Sequence, residues 1–259
     1  MRWNNYEINI LKNHYLSRGE DFVSGLVSRS SNAVRIKAFY LGIKRVNREI
    51  NLSASEGQVL IGSLLGDMYC CIKKGSCKNA HVEEAHCEEQ IPYLEWKIGQ
   101  LKSLEFNKRR TKIGALHARS RVYPALNAYY GMFYEGGKKR INLEILNRLN
   151  ALGLAVWYMD DGSYHQRNKM STLYTNGFSY DETLMIKEWF KNRWNLLPKI
   201  FSISARSKKY YYPSFGASET RKLVNIIQPY IHQSMRYKIG DTCEKDPKGN
   251  GGIRWETDQ

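Results

Sequence analysis

The chain reads as an α+β protein in which one αββαββα unit occurs twice, preceded by a small three-helix unit. Two observations predict the duplication. The stretch Leu60-Ile61-Gly62-Ser63-Leu64-Leu65-Gly66-Asp67-Met68-Tyr69 is matched by Leu154-Ala155-Val156-Trp157-Tyr158-Met159-Asp160-Asp161-Gly162-Ser163, each an apolar helical run that delivers a carboxylate at its last turn. The copies lie about ninety residues apart and are followed by similar material, the signature of an internal repeat. A third observation, apolar residues at helical spacing in the first fifty positions, sets those residues apart as a separate unit.

Within that first unit, Trp3, Ile8, Leu11 and Tyr15 recur at helical spacing, and Phe22, Val23 and Leu26 make a second short apolar face. Ser31 is placed to cap a third helix whose Val34, Ala38 and Leu41 face inward before Gly42 ends it. Residues 1–46 are thus expected as a helical domain and 47–56 as a polar linker. The first repeat, 57–150, should carry strands near Met68–Lys73 and Ala80–Cys87, a helix from Pro92 to about Glu105, a hairpin around Lys112–Arg119 and a helix after Pro124. The second, 151–240, reads as a strand over Met170–Ser179 and a helix over Tyr180–Arg193. A hairpin of Lys199–Ala205 with Tyr210–Phe215 follows across the basic turn Arg206–Lys209, then a helix from Ser218 to about Ile231. Residues 241–259, with Gly249–Gly252, lack periodicity and read as a flexible tail.

The placement of the acids is chemically informative. An ionised Asp at a helix C-terminus adds to the negative end of the helix dipole and is unfavourable there unless a cation sits with it. If the two motif helices pack side by side, Asp67 and Asp161 repel each other more strongly as water is excluded, and a hard divalent cation such as Mg²⁺ relieves that repulsion. An isolated Asp-Asp-Gly after an apolar helix is ordinarily a solvated cap; the recurrence is what gives it weight.

Composition is compatible with a polyanion partner. The formal net charge is +15 and the isoelectric point about 9.5, a field that attracts nucleic acid without specifying a fold. Five cysteines, an odd number, argue for a reducing compartment rather than a disulfide framework. Cys70, Cys71, Cys77, Cys87, His81 and His86 gather near the first motif, but they lack a Cys-x-x-Cys pair and are expected on alternating strand faces, so a zinc site is not assigned; Cys243 is unplaced. Glu84 and His86 are candidates to lie near the first acidic tip, with a satisfied or surface role as the preferred reading. No segment has the apolar length of a membrane span and the N-terminus has no secretory core. The expectation is a soluble intracellular protein, in a bacterial or phage-infected cytoplasm.

On these residues the chain resembles the LAGLIDADG homing endonucleases, specifically single-chain members whose second motif is similar to Trp157-Tyr158-Met159-Asp160-Asp161-Gly162. The likeness covers roughly residues 56–240. Gly62 and Gly66 match the small residues used for close helix contact, whereas Val156 and Asp160 stand opposite them in the second copy, an asymmetry that one chain permits. The resemblance implies a pseudo-twofold saddle, with the motif helices at its seam and two four-stranded sheets straddling duplex DNA. It implies a monomeric, metal-dependent, site-specific double-strand endonuclease with a long target, using Mg²⁺ with Mn²⁺ as a substitute. Carried over by position, Asp67 and Asp161 hold metal, with Gly66 and Asp160 beside them, Asp160 as a neighbour that caps or positions. Lys139, within Lys138-Lys139-Arg140-Ile141, and Lys238, in Tyr237-Lys238, match the basic residues at the reaction centre.

Basic residues interleave with the expected strands, and such sheets can lie in the major groove. Arg119, Arg121, Lys208 and Lys209 are the preferred contacts because they flank or occupy hairpins. In the N-terminal unit, Trp3, Glu7, Arg29-Ser30-Ser31, Ala33-Val34, Lys37-Ala38 and Leu41-Gly42 resemble Myb/SANT-like helix-turn-helix domains, which implies that Asn32 and Arg35, with either Lys37 or Phe39, face a groove. Two other functions are compatible with the same scaffold: a DNA-binding regulator, and an RNA maturase that assists intron splicing. Both usually tolerate loss of the acids, and here both acids are present.

Overall fold

The computed structural model describes residues 2–43, 49–73, 78–205 and 208–241. The expectations for residues 44–48, Lys74, Cys77, Arg206, Cys243 and the tail beyond Asp241 lie outside these residues. The chain divides into two units, Met1–Glu49 and Ile50–Gln259.

In the first unit, helix α1 (Asn5–Val27) starts at a reciprocal cap: the Asn4 side chain accepts from the Glu7 N–H, and the Glu7 carboxylate accepts from the Asn4 N–H. Gly19, at φ 81°, breaks α1 into two helical stretches. Helix α2 (Ser31–Tyr40) is capped by Ser30, whose hydroxyl accepts from the Ala33 N–H, one residue earlier than the expected cap Ser31. The three helical stretches enclose Leu11, Tyr15, Val23, Val27, Val34 and Ala38. Phe22 and Leu26, expected to face inward with Val23, are exposed, and Val27 takes the core position one turn on from Val23. Arg29 pairs with Glu7 at 2.8 Å and lies over the Trp3 ring at 5.4 Å.

The second unit begins with α3 (Ala54–Leu65), capped by a box in which Ser53 and Glu56 exchange hydrogen bonds. Residues 54–56, expected in the linker, are therefore the first turn of the motif helix. There follow β1 (Tyr69–Cys71), β2 (His81–His86), α4 (Ile91–Gln100), β3 (Phe106–Arg110), β4 (Leu116–Ser120) and α5 (Leu126–Phe133). Helix α4 stops before Leu101, short of the expected Glu105, because the chain must turn into β3. A short ribbon of β5 (Tyr134–Glu135) and β6 (Lys138–Lys139) and the helix α6 (Leu143–Arg148) lead to the second motif helix, α7 (Ala151–Asp161). Then come β7 (Gly162–His165), β8 (Met170–Leu173), α8 (Tyr180–Trp194), β9 (Lys199–Ala205), β10 (Lys208–Phe215) and α9 (Ala217–Ile227), closed by short 3-10 turns over Gln228–Tyr230 and Gln233–Ile239.

Two antiparallel sheets of matching topology result, ordered β1-β2-β4-β3 and β7-β8-β10-β9. One continuous core joins both halves, running from Val59, Leu60 and Leu64 of α3 through Leu154, Ala155 and Trp157 of α7 to Phe190 and Phe215. The motif helices are therefore core elements, and their close approach is made by Gly62, where a Cβ would collide with the Gly153 carbonyl oxygen, and by Gly66, where it would collide with the Asp160 side chain. The opposition of Gly62 to Val156 and of Gly66 to Asp160 is thus present in space as well as in the alignment.

Candidate active site

Both motif helices end in the same neighbourhood. Asp67 lies just past α3 and is exposed, whereas Asp161 is the last residue of α7 and half buried. The link across the seam is direct: the Asp67 N–H donates to Asp160 Oδ2 at 3.2 Å. Asp161 is oriented from its own helix, one turn back, by the Trp157 indole N–H, 3.2 Å from Oδ2. Burial, together with the charges of Asp160 and Asp67, pushes the Asp161 carboxyl up to about 8. A carboxyl held against like charges in this way is a group that gains from a cation. The oxygen donors at Asp67 and Asp161 therefore suit a hard divalent ion.

Two lysines close the helix ends. Lys139, delivered by β6, donates to the carbonyls of Gly66 at 2.9 Å and Met68 at 3.2 Å. Lys238, from the final 3-10 turn, donates to the carbonyls of Met159 at 2.6 Å and Asp160 at 2.8 Å. Each ammonium thus satisfies carbonyls at the negative end of a motif helix. Burial lowers the pKa of both, while the Asp161, Asp160 and Asp67 carboxylates work in the opposite direction. The Gly66 carbonyl is engaged by Lys139, so that its oxygen already has a cationic partner.

Asp160 is placed differently from its neighbour. Its side chain is inaccessible and points between the helices into the first half, where Oδ1 accepts from Lys97 Nζ at 2.6 Å and from the Tyr93 hydroxyl at 2.6 Å. Burial, and then the charge of Glu84, raises the Asp160 pKa against the pull of Lys97. Lys97, wholly buried on α4, also donates to Glu84 Oε1 at 2.6 Å, and the same oxygen meets His86 Nε2 at 2.5 Å. His86 completes the chain through Nδ1 to Gln90 at 2.7 Å. Burial alone would drive Lys97 towards its neutral form, but Asp160 and Glu84 outweigh it and raise its pKa. His86 is satisfied through both ring nitrogens, whereas Glu84 is engaged only through Oε1 and its buried Oε2 has no hydrogen-bond partner among the described residues; the two belong to a buried network that reaches the second motif and lies beside Asp67. Lys97 and Tyr93 had not been singled out from the sequence. Tyr93, Lys97 and Leu101 follow one another at four-residue steps, but a lysine at such a position reads as solvated unless its partners on other elements are known.

The remaining candidates lie on the sheets and the first unit. Arg119 is on the open face of β4, its Nε 3.8 Å from Glu83, and Arg121 pairs with Glu105 at 2.8 Å. The pleat sets Lys208 and Lys209 on opposite faces of β10. Lys208 shares its side with Tyr210 and Tyr212. Lys209 lies over the Tyr211 ring at 5.6 Å, and that ring packs on Tyr180 at the start of α8. Asn32 and Arg35 are exposed on α2, with the Arg35 guanidinium donating to Asn32 Oδ1 at 2.7 Å, and Lys37 is half buried. Cys71 and His81, expected on alternating faces, stand directly opposite each other on one face, Sγ to Nε2 3.2 Å, because cross-strand partners in an antiparallel pair project to the same side.

Two α+β halves joined at a pair of glycine-packed helices, each ending in an acid and a capping lysine, define a duplicated nuclease architecture. The chain belongs to the LAGLIDADG DNA endonuclease family, whose pattern matches residues 57–223. Among its relatives is the Mycosarcoma maydis protein named "Probable intron-encoded DNA endonuclease 3", 34% identical over 122 residues that make up 45% of this chain and 87% of that protein. Another is Protein RecA of Mycobacterium shimoidei, 27% identical over 200 residues, or 73% of this chain. The chain spans 47% of that RecA relative's length. The fold is that of the homing endonuclease I-WcaI bound to its DNA recognition sequence, at a TM-score of 0.64 and 22% identity, covering 83% of this chain and 96% of that one. No described helix is long and apolar enough to cross a membrane.

Proposed function

We propose that this chain cuts both strands of a long, specific duplex DNA site, acting as a single chain with Asp67 and Asp161 as the metal-holding carboxylates. The observation that carries the reading is the meeting of two acidic helix ends at one seam, where the Asp67 backbone is bonded to Asp160 and the Asp161 carboxyl is raised by burial and then by both other acids. A divalent cation, Mg²⁺ with Mn²⁺ as a substitute, would supply Lewis acidity to a water and to the scissile phosphate. The protein's own part is to hold the carboxylates. Trp157 fixes Asp161, and the seam fixes the backbone of Asp67. Lys139 and Lys238 keep positive charge beside the acids, where it can share the charge that develops on a phosphate. Asp160 is in this reading a positioning group, since both its oxygens already accept hydrogen bonds.

DNA would lie along the open faces of the two sheets, with Arg119, Arg121 and Lys208 as contacts; Lys209 belongs to the opposite face of β10 and is assigned a supporting role. The first unit is assigned as a tethered accessory reader through Asn32, Arg35 and Lys37. A tethered reader raises the local concentration of the nuclease on its target. The setting is intracellular in this reading, supported by the odd cysteine number; a bacterial or phage-infected host is the sequence-based expectation, and the relatives cited include both M. maydis and a mycobacterium.

The test is to incubate the purified protein with Mg²⁺ and a randomised plasmid library and to sequence the ends produced. Asp67→Asn and Asp161→Asn should each abolish double-strand cleavage of the recovered site while leaving binding largely intact. Full cutting by either variant overturns the assignment, and binding without any cutting by the unaltered chain would favour the regulator.

A further inference from the structure

We infer that Lys97 is a positioning residue for the first acidic tip: its ammonium fills the cation position among Glu84, His86 and Asp160, so that Asp160 serves as an internal acceptor for the Asp67 backbone rather than as a metal ligand. The inference deepens the reading of Asp67 and Asp161 as the metal-holding pair and rests on it. Ligand-type atoms of Asp67, Glu84, His86 and Asp160 all lie within 4.8 Å of one another, the kind of grouping that ordinarily invites a metal ion. The position facing Glu84 and Asp160 is already taken, because Lys97 Nζ lies 2.6 Å from an oxygen of each, and both lysine and carboxylates are out of water.

An ammonium differs from a divalent ion in what it demands. Lys97 is tied to α4, donates along a few directions and cannot be lost to solution, so the orientation of Asp160 is set whether or not metal is present. Tyr93 contributes a second donor to the same oxygen, Oδ1, which leaves Oδ2 turned to the Asp67 N–H. The order of dependence runs from Lys97 through Asp160 to the backbone that carries Asp67. It has no counterpart in the reverse direction, because Gly66 stands where the second motif has Asp160 and sends no side chain across the seam. The two catalytic acids are therefore held by different means: Asp161 by its own helix through Trp157, and Asp67 by a network rooted in α4.

Two variants of the full chain test this, Lys97→Met and the charge-balanced Lys97→Met with Glu84→Gln, the second retaining the fold where removal of the cation alone leaves too much buried negative charge. Amide hydrogen exchange needs no DNA and reads the point directly. In the folded variant the Asp67 amide should exchange at least tenfold faster, with the Leu154 amide inside α7 unchanged. Single-turnover cleavage of the site recovered from the library should fall at least tenfold, with affinity for that site within threefold. An Asp67 amide as protected as in the parent overturns the inference even if no target has been found, as does recovery of the full cleavage rate by the double variant, which would reduce Lys97 to charge neutrality. Parental cleavage by Asp67→Asn would instead sink the parent reading, and the two failures are told apart by the exchange data.

Discussion

The carbonyl oxygen of Gly153 occupies the space into which a side chain on Gly62 would project, so the two motif helices meet with backbone against backbone. An added methyl at Gly62 would also press on Val156 Cβ, 2.9 Å away, and neither the carbonyl nor a β-branched neighbour inside a buried helix can move aside cheaply. Gly62→Ala should therefore destabilise the protein by roughly 1–3 kcal/mol, the usual cost of overpacking a filled core. Gly131→Ala on α5, where an added Cβ would meet nothing within 4 Å beyond the backbone of its own helix and its chain neighbours, should instead stabilise by about 0.4–1 kcal/mol through reduced freedom of the unfolded chain. Thermal unfolding of the two variants side by side checks both signs.

The seam was legible because close packing leaves a residue-level mark: Gly62 and Gly66 interrupt an apolar run, and bulkier residues stand at the matching places of the second copy. The acids were legible by recurrence. Lys97 was not, since a lysine in an amphipathic helix is ordinarily solvated, and only its partners in other elements, Glu84 on β2 and Asp160 on α7, keep it charged inside. The ribbon β5–β6 and helix α6 were missed because two-residue strands and a six-residue helix have too little length to show a period; they exist through tertiary contacts such as the Cys70 N–H donating to the Tyr134 hydroxyl. Strand β7 begins at the residue after Asp161 with no turn to announce it. In the first unit, Phe22 and Leu26 are apolar residues that face solvent, a reminder that apolar character does not fix direction.

Glu56 gives a prediction on the acid side. Burial alone would raise its pKa, but hydrogen bonds from Ser103 and Ser53 outweigh burial and hold it at about 2. A depressed carboxyl contributes stability above its unfolded value, and that contribution is lost as pH falls from about 4.5 towards 2. Glu56→Gln should cost about 1–2 kcal/mol at pH 7, allowing for water at the edge of the site, and close to nothing at pH 2. Denaturant midpoints at the two pH values test it; an equal loss at both would mean that the carboxylate charge is irrelevant.

Asp161 has the opposite sign. Its pKa rises on folding from 3.8 to about 8, so folding favours the protonated form. In metal-free protein the resulting contribution is fully present below about pH 3.8 and is lost as pH rises through about 8. Asp161→Asn, which cannot ionise, should therefore melt at a progressively higher temperature than the parent as pH goes from 4 to 8 in chelator. Adding Mg²⁺ at pH 8 should raise the parent's melting temperature and leave that of Asp161→Asn nearly unmoved, since ligand binding to the folded state alone stabilises it. A flat difference across pH would remove the electrostatic account of this site.

The two capping lysines and the lysines of the sheets should separate under salt. Lys139 and Lys238 spend their hydrogen bonds on backbone carbonyls at the motif helix ends, whereas Lys208 is exposed on the face of β10 that carries Tyr210 and Tyr212. A phosphate contact releases counterions and adds about 0.9 to the slope of log affinity against log salt. Lys208→Ala should accordingly reduce that slope by about 0.9 and weaken binding at low salt without changing the cleavage rate of saturated enzyme. Lys139→Met and Lys238→Met should leave the slope nearly unchanged and lower the single-turnover rate by roughly 10²–10³, the usual loss when one preorganised charge at a reacting centre is removed. Lys238→Met should also cost more stability than Lys139→Met, because Lys238 is the more deeply buried cap and the Met159 and Asp160 carbonyls lose their short hydrogen bonds to it. A Lys238→Met protein that melts lower but cuts at the parental rate would assign that lysine to the helix end alone.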